Sequence, residues 1–316
     1  MRYRPLGHSG LQVSEIGHGL WGMGSWTGSE EETSRAALSR SIEGGCTFYD
    51  SAYVYGDGRS DKLIGEVAGA YPHKPLVLAS KIPPADFAWP SKPTNKLHAI
   101  FPRQHVLDYA GRIADAFGRP IDLLQFHVWE DAWAHEAEWQ DTVAELKSSK
   151  RIKAFGLSLN RWQPANGIAA IATGLVDSVQ VIYNIFDQAP EDALFPACVQ
   201  NNVGVIARVP LDEGSLGGKL TADTQFPEGD WRARYFSPDN LAKTLPRIAA
   251  LKALLPEGMS LPELALRFIL SQPAVSTVIV GMRKLDHVDA NLALSDKGPL
   301  PAGLIAALRA HRWDRP

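Results

Sequence analysis

Short β-branched runs alternate with longer helical patterns along this chain, and this alternation constrains its fold more than any other feature. Such alternation is typical of parallel βαβ units, in which a helix connects two strands of one sheet. Eight strands without a linker-like break favour one closed (β/α)8 barrel, a single domain over residues 1–316. The predicted strands are Glu15–Gly19, Thr47–Asp50, Leu76–Ser80, Asp122–Phe126, Ile152–Gly156, Ser178–Val181, Gly204–Ala207 and Thr277–Val280.

A doubly wound open sheet is the alternative fold, and it has a local signature that can be checked. Dinucleotide-binding sheets of that kind carry Gly-x-Gly-x-x-Gly after the first strand, with an acidic residue further on. Gly17-His18-Gly19 and Gly22-Met23-Gly24 come near this pattern, but no Gly or Ala opens a helix at the required offset. The sequence therefore favours the barrel.

The connections between these runs indicate where a site would form. Tyr3–Pro5 and Gln12–Ser14 flank a Gly/Ser turn and predict a small hairpin that caps the bottom of the barrel. Two long segments, Ile82–Gln104 and Pro210–Pro238, each follow a predicted strand. Because loops that follow strands lie at the C-terminal rim of a barrel, we expect both segments beside an active site.

Local signals also mark the helices. Ser29, followed three residues later by Glu32, predicts a capping box at the start of the first helix, which ends at Gly44. A helical apolar pattern predicts a further helix over Gln163–Thr173.

Charge and composition narrow the function. The chain has 32 basic and 35 acidic residues, a net charge of −3, and no long run of either sign, which argues against a nucleic-acid surface. No targeting segment is visible, and no window approaches the ~18 apolar residues of a membrane span. Cys46 and Cys198 are too few for a disulfide framework or a four-cysteine zinc site. We therefore expect a cytoplasmic protein without nucleic-acid or membrane partners, in an oligomeric state that the sequence leaves open.

Four polar residues follow neighbouring strands. Asp50 ends the second predicted barrel strand and Tyr55 lies in the loop after it, while Lys81 and His127 follow the third and fourth strands. Side chains at the C-terminal ends of barrel strands point into the mouth of the barrel. An acid, a phenol, an amine and an imidazole are therefore expected to converge at one site.

Each of these residues also has a structural interpretation when taken alone. Asp50 could form a turn or cap a helix, Lys81 could be a solvated rim residue, and His127 could be a packed core histidine. Four such residues on three successive strand ends favour the functional interpretation.

The chain resembles the aldo-keto reductases over nearly its whole length. Phe48–Gly56 is similar to the family's F-D-T-A-x-x-Y-G pattern. Lys150–Ser158 resembles its G-K-I-R-x-x-G-V-S strand, and Gln180–Asp187 resembles its Q-x-x-Y-N-x-x-D element. The cofactor-binding tail of the family is similar to Ala265–Phe268 and Ile279–Arg283. The resemblance implies a barrel that binds NADPH, with NADH as the alternative cofactor, and that reduces small aldehydes or ketones.

In the family's scheme Tyr55 donates the proton, Lys81 and Asp50 form the supporting pair, and His127 orients the substrate carbonyl. Hydride transfer puts negative charge on the carbonyl oxygen, so the site needs an acid and an electropositive pocket. An adjacent ammonium favours phenolate, so we expect Lys81 to lower the pKa of Tyr55 from about 10.

The resemblance also assigns a cofactor site. Ser158, Asn160 and Gln180 correspond to residues that bind the nicotinamide carboxamide, although Leu159 separates a serine and an asparagine that are adjacent in relatives. Arg208 stands where many relatives place a stacking aromatic, and its planar guanidinium can also stack. The remaining candidates belong to the adenosine end: Arg283 for the 2′-phosphate, Gly281 where many relatives have Lys, and His287 and Asn291 beside the adenine.

Aromatic residues in loops are candidates for the substrate pocket. Such side chains either form a ligand wall or pack on neighbouring loops. The candidates for an apolar mouth that would suit medium-sized aldehydes or ketones are Trp21, Trp26, Tyr53, Trp89 and Trp129.

Two other functions remain open at this stage. The first is a cofactor-binding redox sensor on the same fold, because fold does not fix function. The second is a metal-dependent barrel hydrolase, which needs several His and carboxylate ligands from strand ends. His127 and Asp50 supply one of each, beside the competing cation of Lys81.

Overall fold

The computed structural model describes residues 1–24 and 30–315 and confirms the predicted barrel. Strands β3 to β10 close in the order β10-β3-β4-β5-β6-β7-β8-β9 with all neighbours parallel, and β1 pairs antiparallel with β2. The strands are β1 (Tyr3–Pro5), β2 (Gln12–Ser14), β3 (Ile16–Gly19), β4 (Phe48–Asp50), β5 (Val77–Ile82), β6 (Ile121–Phe126), β7 (Ile152–Ser158), β8 (Ser178–Ile182), β9 (Gly204–Arg208) and β10 (Val275–Gly281).

Helices lie between and after these strands. They are α1 (Glu31–Glu43), α2 (Arg59–Gly69), α3 (Leu97–Ile100), α4 (Arg103–Phe117), α5 (Ala137–Ser148), α6 (Ile168–Ala172), α7 (Leu194–Gln200), α8 (Arg232–Tyr235), α9 (Pro238–Lys252), α10 (Leu261–Leu270), α11 (Leu285–Leu292), α12 (Leu294–Lys297) and α13 (Ala302–Arg309). In the described part of the chain, none of them is long and apolar enough to span a membrane.

Two helix starts differ from the prediction. The residue before α1 is Glu30, without a side-chain cap bond, and the predicted cap Ser29 lies outside the described residues. The helix predicted over Gln163–Thr173 was too long, because α6 begins only at Ile168. Pro164 and Gly167 are turn-forming residues, and they hold the chain in turns before that point.

The hairpin closes the end of the barrel at which the strands begin. Leu6 and Val13 are fully buried and pack with the apolar side chains inside the barrel. Gly7 has a φ of +57° and lies so close to the start of β9 that an added Cβ would be 2.4 Å from the backbone nitrogen of Gly204. Glycine is therefore required at this turn, and the predicted cap at the bottom is confirmed.

The two-residue period of the strands builds layers inside the barrel. Phe48, Ala79 and Leu123 belong to the buried apolar cluster of the interior. Two residues further along β4, β5 and β6 stand Asp50, Lys81 and Gln125, which are also buried. A polar layer therefore lies directly above an apolar floor, toward the C-terminal rim.

Candidate active site

A buried ion pair forms the base of the site. The Nζ of Lys81 donates to Oδ2 of Asp50 at 2.6 Å and to the carbonyl oxygen of Ser51 at 2.6 Å. The other carboxylate oxygen of Asp50 accepts from Nε2 of Gln125 at 3.2 Å and from Nε2 of Gln180 at 2.8 Å. Because four strands or strand ends contribute to this network, the positions of both charges are fixed.

A second buried carboxylate lies beside this pair. Asp61, on α2, accepts a hydrogen bond from the hydroxyl of Ser80 at 2.8 Å. Burial raises the pKa of Asp61 to about 6, although the nearby Lys81 cation acts in the opposite direction. Burial also lowers the pKa of Lys81, and the charge of Asp50 opposes that shift. Both groups are therefore held at an energetic cost, as is common at functional sites.

Tyr55 lies in the tight turn after β4. Its backbone N–H donates to the carbonyl of Ala52 at 2.9 Å, and its carbonyl accepts from Ser60 at 3.2 Å. An added Cβ on Gly24 would be 2.7 Å from the carbonyl carbon of Tyr55, so glycine permits the close approach of these two loops. The Nζ of Lys81 lies 5.5 Å from the centre of the Tyr55 ring.

The predicted lowering of the Tyr55 pKa is wrong for the chain on its own. Burial raises the pKa of the phenol well above its ordinary value, and the charge of Asp50 adds to the increase. The carboxylate of Asp50 neutralises Lys81 at 2.6 Å, which removes the expected influence of the ammonium. The cation that does lower the pKa of Tyr55 is Arg208. The phenol is therefore protonated at neutral pH.

His127 follows β6 and stands beside Tyr55. Its backbone N–H donates to the carbonyl of Ile82 at 3.1 Å, and its ring lies 6.1 Å from the Tyr55 ring in an edge-to-face arrangement. Burial lowers the pKa of His127 well below 6.5, and the cations Lys81 and Arg208 lower it further. Its Nδ1 is buried without a hydrogen-bond partner among the described residues. The imidazole is therefore neutral at neutral pH.

These groups meet at a cavity of about 260 Å³. Its lining includes seven of the residues that the sequence singles out: Tyr55, Trp89, His127, Ser158, Asn160, Gln180 and Arg208. Asp50 and Lys81 lie in the polar layer that Gln180 connects to this lining. The structure therefore brings the predicted catalytic and nicotinamide-binding residues to one place.

Arg208 ends β9 and forms one wall of the cavity. Its Nη2 donates to the carbonyl oxygen of Leu159 at 2.9 Å, and its buried Nε has no acceptor within the described chain. Burial lowers the pKa of Arg208 to about 10, and the nearby Arg161 contributes to the same shift. The guanidinium nevertheless stays charged at neutral pH.

Asn160 lines the cavity, but its amide is engaged elsewhere. The Nδ2 atom donates to Oε1 of Glu130 at 2.9 Å, to the carbonyl of Trp129 at 3.0 Å and to the hydroxyl of Ser91 at 3.0 Å. Leu159, the residue inserted before it, is buried. Asn160 thus joins two rim loops, whereas the amide of Gln180 points to the Asp50 network.

The residues predicted for the adenosine end lie together after β10. Gly281 is the exposed last residue of that strand, and His287 and Asn291 lie on α11. The side chain of Arg283 covers the backbone of Gly22, where an added Cβ would be 2.9 Å from Cδ. The hydrogen bond from Arg232 lowers the pKa of Asp230 in the long loop after β9, and the charge of Arg283 adds a smaller contribution in the same direction. A basic side chain at the start of a helix fits a phosphate-bearing cofactor.

The aromatic candidates separate into two groups. Trp89 is exposed at the cavity, with its ring 5.4 Å from that of His127. Trp21 is exposed in the 3-10 turn after β3, outside the lining of the cavity. Trp26 lies outside the described residues.

Tyr53 and Trp129 do not reach the cavity. Tyr53 packs edge to face on Tyr109 of α4 at 4.9 Å, because the turn after β4 directs it outward. Trp129 is fully buried and packs edge to face on Trp133 at 5.6 Å and on Trp139 at 5.3 Å. Neither residue lines the cavity, and packing on neighbouring aromatic rings accounts for both positions.

Several residues of the site were missed from the sequence. Gln125 lies on β6, two residues after the inward-facing Leu123, so strand periodicity could have indicated it. Asp61 follows the Phe48–Gly56 motif by five residues, but its burial depends on how α2 packs. Arg161 lines the cavity and forms an ion pair with Glu213, a contact between distant loops that gives no local signal.

A closed parallel barrel with a Lys–Asp pair, a tyrosine and a histidine at its C-terminal mouth is the arrangement that the resemblance to the aldo-keto reductases implies. The model of the aldo/keto reductase family matches residues 15–312. This chain belongs to that family.

Relatives resemble the chain over most of its length. An aldo-keto reductase from Schizosaccharomyces pombe named for NADP⁺ is 27% identical, covering 88% of this chain and 83% of the relative. An NADH-specific methylglyoxal reductase from Escherichia coli is 25% identical, covering 93% of each chain. The solved glycerol dehydrogenase from Gluconobacter oxydans is 22% identical with a TM-score of 0.80, covering 99% of this chain and 97% of that one, which shows the shared fold.

Proposed function

We propose that this protein reduces small aldehydes or ketones to alcohols with NADPH, accepts NADH as a second cofactor, and uses Tyr55 as the proton donor. The observation that carries the proposal is the buried Lys81–Asp50 pair beneath a cavity that Tyr55 and His127 line. Family membership supports the reaction class.

The residues present fit a nicotinamide dinucleotide. The bound cofactor would supply hydride to the carbonyl carbon. Ser158 and Gln180 line the cavity beside Tyr55 and would hold the carboxamide end. Arg283, before α11, would hold the adenosine phosphate, which distinguishes NADPH from NADH. The names of the relatives include both cofactors, so this choice rests on Arg283.

The charges of the site suit proton donation. The raised pKa of Tyr55 keeps its proton on the phenol oxygen until a carbonyl oxygen beside it gains negative charge. His127 is neutral and can donate a hydrogen bond to the same oxygen without adding a fixed charge. The guanidinium of Arg208, which lowers the pKa of Tyr55, stabilises the phenolate that remains after the transfer.

A panel of aldehydes and ketones tests the proposal, with NADPH and NADH consumption measured in parallel by absorbance. We expect turnover with several carbonyl compounds and a lower KM for NADPH. Tight cofactor binding without turnover of any compound would support the sensor instead. Activity that a chelator abolishes would contradict the metal-free mechanism.

The buried free thiols of Cys46 and Cys198 suit the reducing cytoplasm, where we place the reaction.

A further inference from the structure

The side-chain amide of Asn160 is fully engaged within the protein. Asn160 is buried, and its Nδ2 lies within 3.1 Å of four oxygen atoms. These acceptors are the hydroxyl of Ser91, the carbonyl of Trp129 and the Oε1 atoms of Glu130 and Gln163. Because an amide nitrogen carries only two hydrogens, these acceptors already use both. The residue that the resemblance assigns to the carboxamide is therefore occupied by bonds to its own chain.

Ser91 attaches the long loop after β5 to the same group of residues. Its buried hydroxyl donates toward Oε1 of Glu130 at 2.8 Å, and the carbonyl of Trp129 and Oδ1 of Asn160 lie 3.1 Å and 3.2 Å from the same oxygen. Hydrogen bonds to an ionised carboxylate are stronger than those between neutral groups. Ser91, Glu130 and Asn160 follow β5, β6 and β7, and we call these three residues the rim cluster.

The loop after β6 is the fixed side of the rim cluster. Asn166 donates to Oε2 of Glu130 at 3.2 Å and accepts from the backbone N–H of Asp131 at 2.7 Å. The carboxylate of Asp131 accepts in turn from the backbone N–H of Ala169, on α6, at 2.9 Å. Several bonds therefore hold Glu130 in place, and the loop that carries Ser91 is attached to this fixed point.

The position of Trp89 depends on this attachment. Trp89 lies two residues before Ser91, lines the cavity, and has its ring 5.4 Å from that of His127. The backbone N–H groups of Ala88 and Lys92, on either side, bond to side chains of the same loop. In the described part of the chain, Ser91 is therefore the residue nearest to Trp89 that hydrogen-bonds to another rim loop.

We propose that the rim cluster positions Trp89 against His127 and so selects carbonyl substrates that carry an aromatic group, and that Asn160 serves this substrate wall and not the nicotinamide. Trp89 is exposed whereas His127 is half-buried, so a substrate group on Trp89 lies on the solvent side of the carbonyl, away from the nicotinamide. Ser158 and Gln180 remain for the carboxamide. This inference rests on the proposed reductase function and names residues that select its substrate.

Cofactor and substrate affinities distinguish the two roles of Asn160. In Asn160→Ala we expect KM for benzaldehyde to rise about three- to tenfold, the contribution of one aromatic contact, and Kd for NADPH to change by less than about twofold. Asn201→Ala, which removes an exposed amide just after α7, is the matched control. A rise of about tenfold in Kd for NADPH would show that Asn160 holds the carboxamide and would overturn the proposal.

A double-mutant cycle tests whether Ser91 acts through Trp89. Ser91→Ala and Trp89→Ala should each lower the ratio of kcat/KM for benzaldehyde to that for propanal by about three- to tenfold. The double variant should have the same ratio as Trp89→Ala, because residues that act through one another are not additive. Ser91→Thr keeps the hydroxyl and should restore most of the ratio, and Ser148→Ala, at an exposed position of α5, is the control. Additive effects of the two single changes would overturn the proposal.

A measurement without turnover separates this inference from the proposed function. In protein that contains fluorinated tryptophan, the fluorine resonance that disappears in Trp89→Phe reports the surroundings of Trp89. Ser91→Ala should shift or broaden this resonance, and Ser148→Ala should not. If it shifts although no carbonyl compound is reduced, the rim cluster positions Trp89 and only the proposed function fails. If it stays unchanged while aldehydes are reduced, the reductase stands and the rim cluster does not position Trp89.

Discussion

Replacing Asp61 by Asn should stabilise the protein at neutral pH by removing a buried charge. The pKa of this carboxyl is raised from 3.8 to about 6, a shift of about two units. At about 1.36 kcal/mol per unit, the ionised form costs about 3 kcal/mol of folding free energy. The oxygen of Asn can still accept the hydrogen bond from Ser80, so the packing is retained.

The sign of the pH dependence follows from the direction of the shift. Between pH 3.8 and about 6 the folded chain holds a proton that the unfolded chain has lost, so stability falls as the pH rises through this window. Above about pH 6 the folded chain carries the full cost of the buried carboxylate. Below pH 3.8 the carboxyl is protonated in both states, and this cost is absent. The advantage of Asp61→Asn should therefore grow with pH and level off above about 6.

Urea unfolding of both proteins across this pH range measures the effect. The difference in unfolding free energy between Asp61→Asn and the unaltered protein should change by about 3 kcal/mol across this pH range. A change in packing would add a contribution that does not depend on pH. Asp141→Asn, which makes the same replacement at an exposed position of α5, is the matched control. A difference for Asp61→Asn that stays flat with pH, or that shrinks as pH rises, would refute the reasoning.

Two further predictions concern the cofactor and the core. Arg283→Ala should raise KM for NADPH much more than for NADH, because only NADPH carries the 2′-phosphate; equal effects in steady-state assays would remove that role. Trp129→Ala should cost about 3–5 kcal/mol in urea unfolding and leave KM for the substrate unchanged, because the side chain packs in the core. A changed KM for the substrate with an unchanged free energy of unfolding would show that Trp129 contacts the substrate and does not stabilise the core.

The barrel was predictable because its signals are local and repeated. The observed bounds of β1 and β2 equal the predicted ones, and each barrel strand overlaps its predicted run. The meeting of Asp50 and Lys81 follows from the two-residue period, which turns both side chains inward at the same height.

Properties that depend on tertiary contacts were not predictable from these patterns. The pKa of Tyr55 is set by burial and by the pairing of Lys81 with Asp50, neither of which spacing reveals. Trp129 in a rim loop has the same local appearance as Trp89, yet neighbouring aromatic rings enclose only the former. The resemblance assigned Arg208 to the cofactor site. Its lack of a carboxylate partner in the described chain depends on which loops meet, and the sequence does not show that.

The proton-donor role of Tyr55 is the central claim, and Tyr55→Phe tests it most directly. Turnover of a reactive aldehyde and the dissociation constant for NADPH are measured on the same preparation, beside Tyr71→Phe, which removes a phenol that bonds Glu43 on the outer surface. We predict that Tyr55→Phe lowers kcat by about a hundredfold or more and leaves cofactor binding nearly unchanged. Undiminished kcat in Tyr55→Phe would contradict the account.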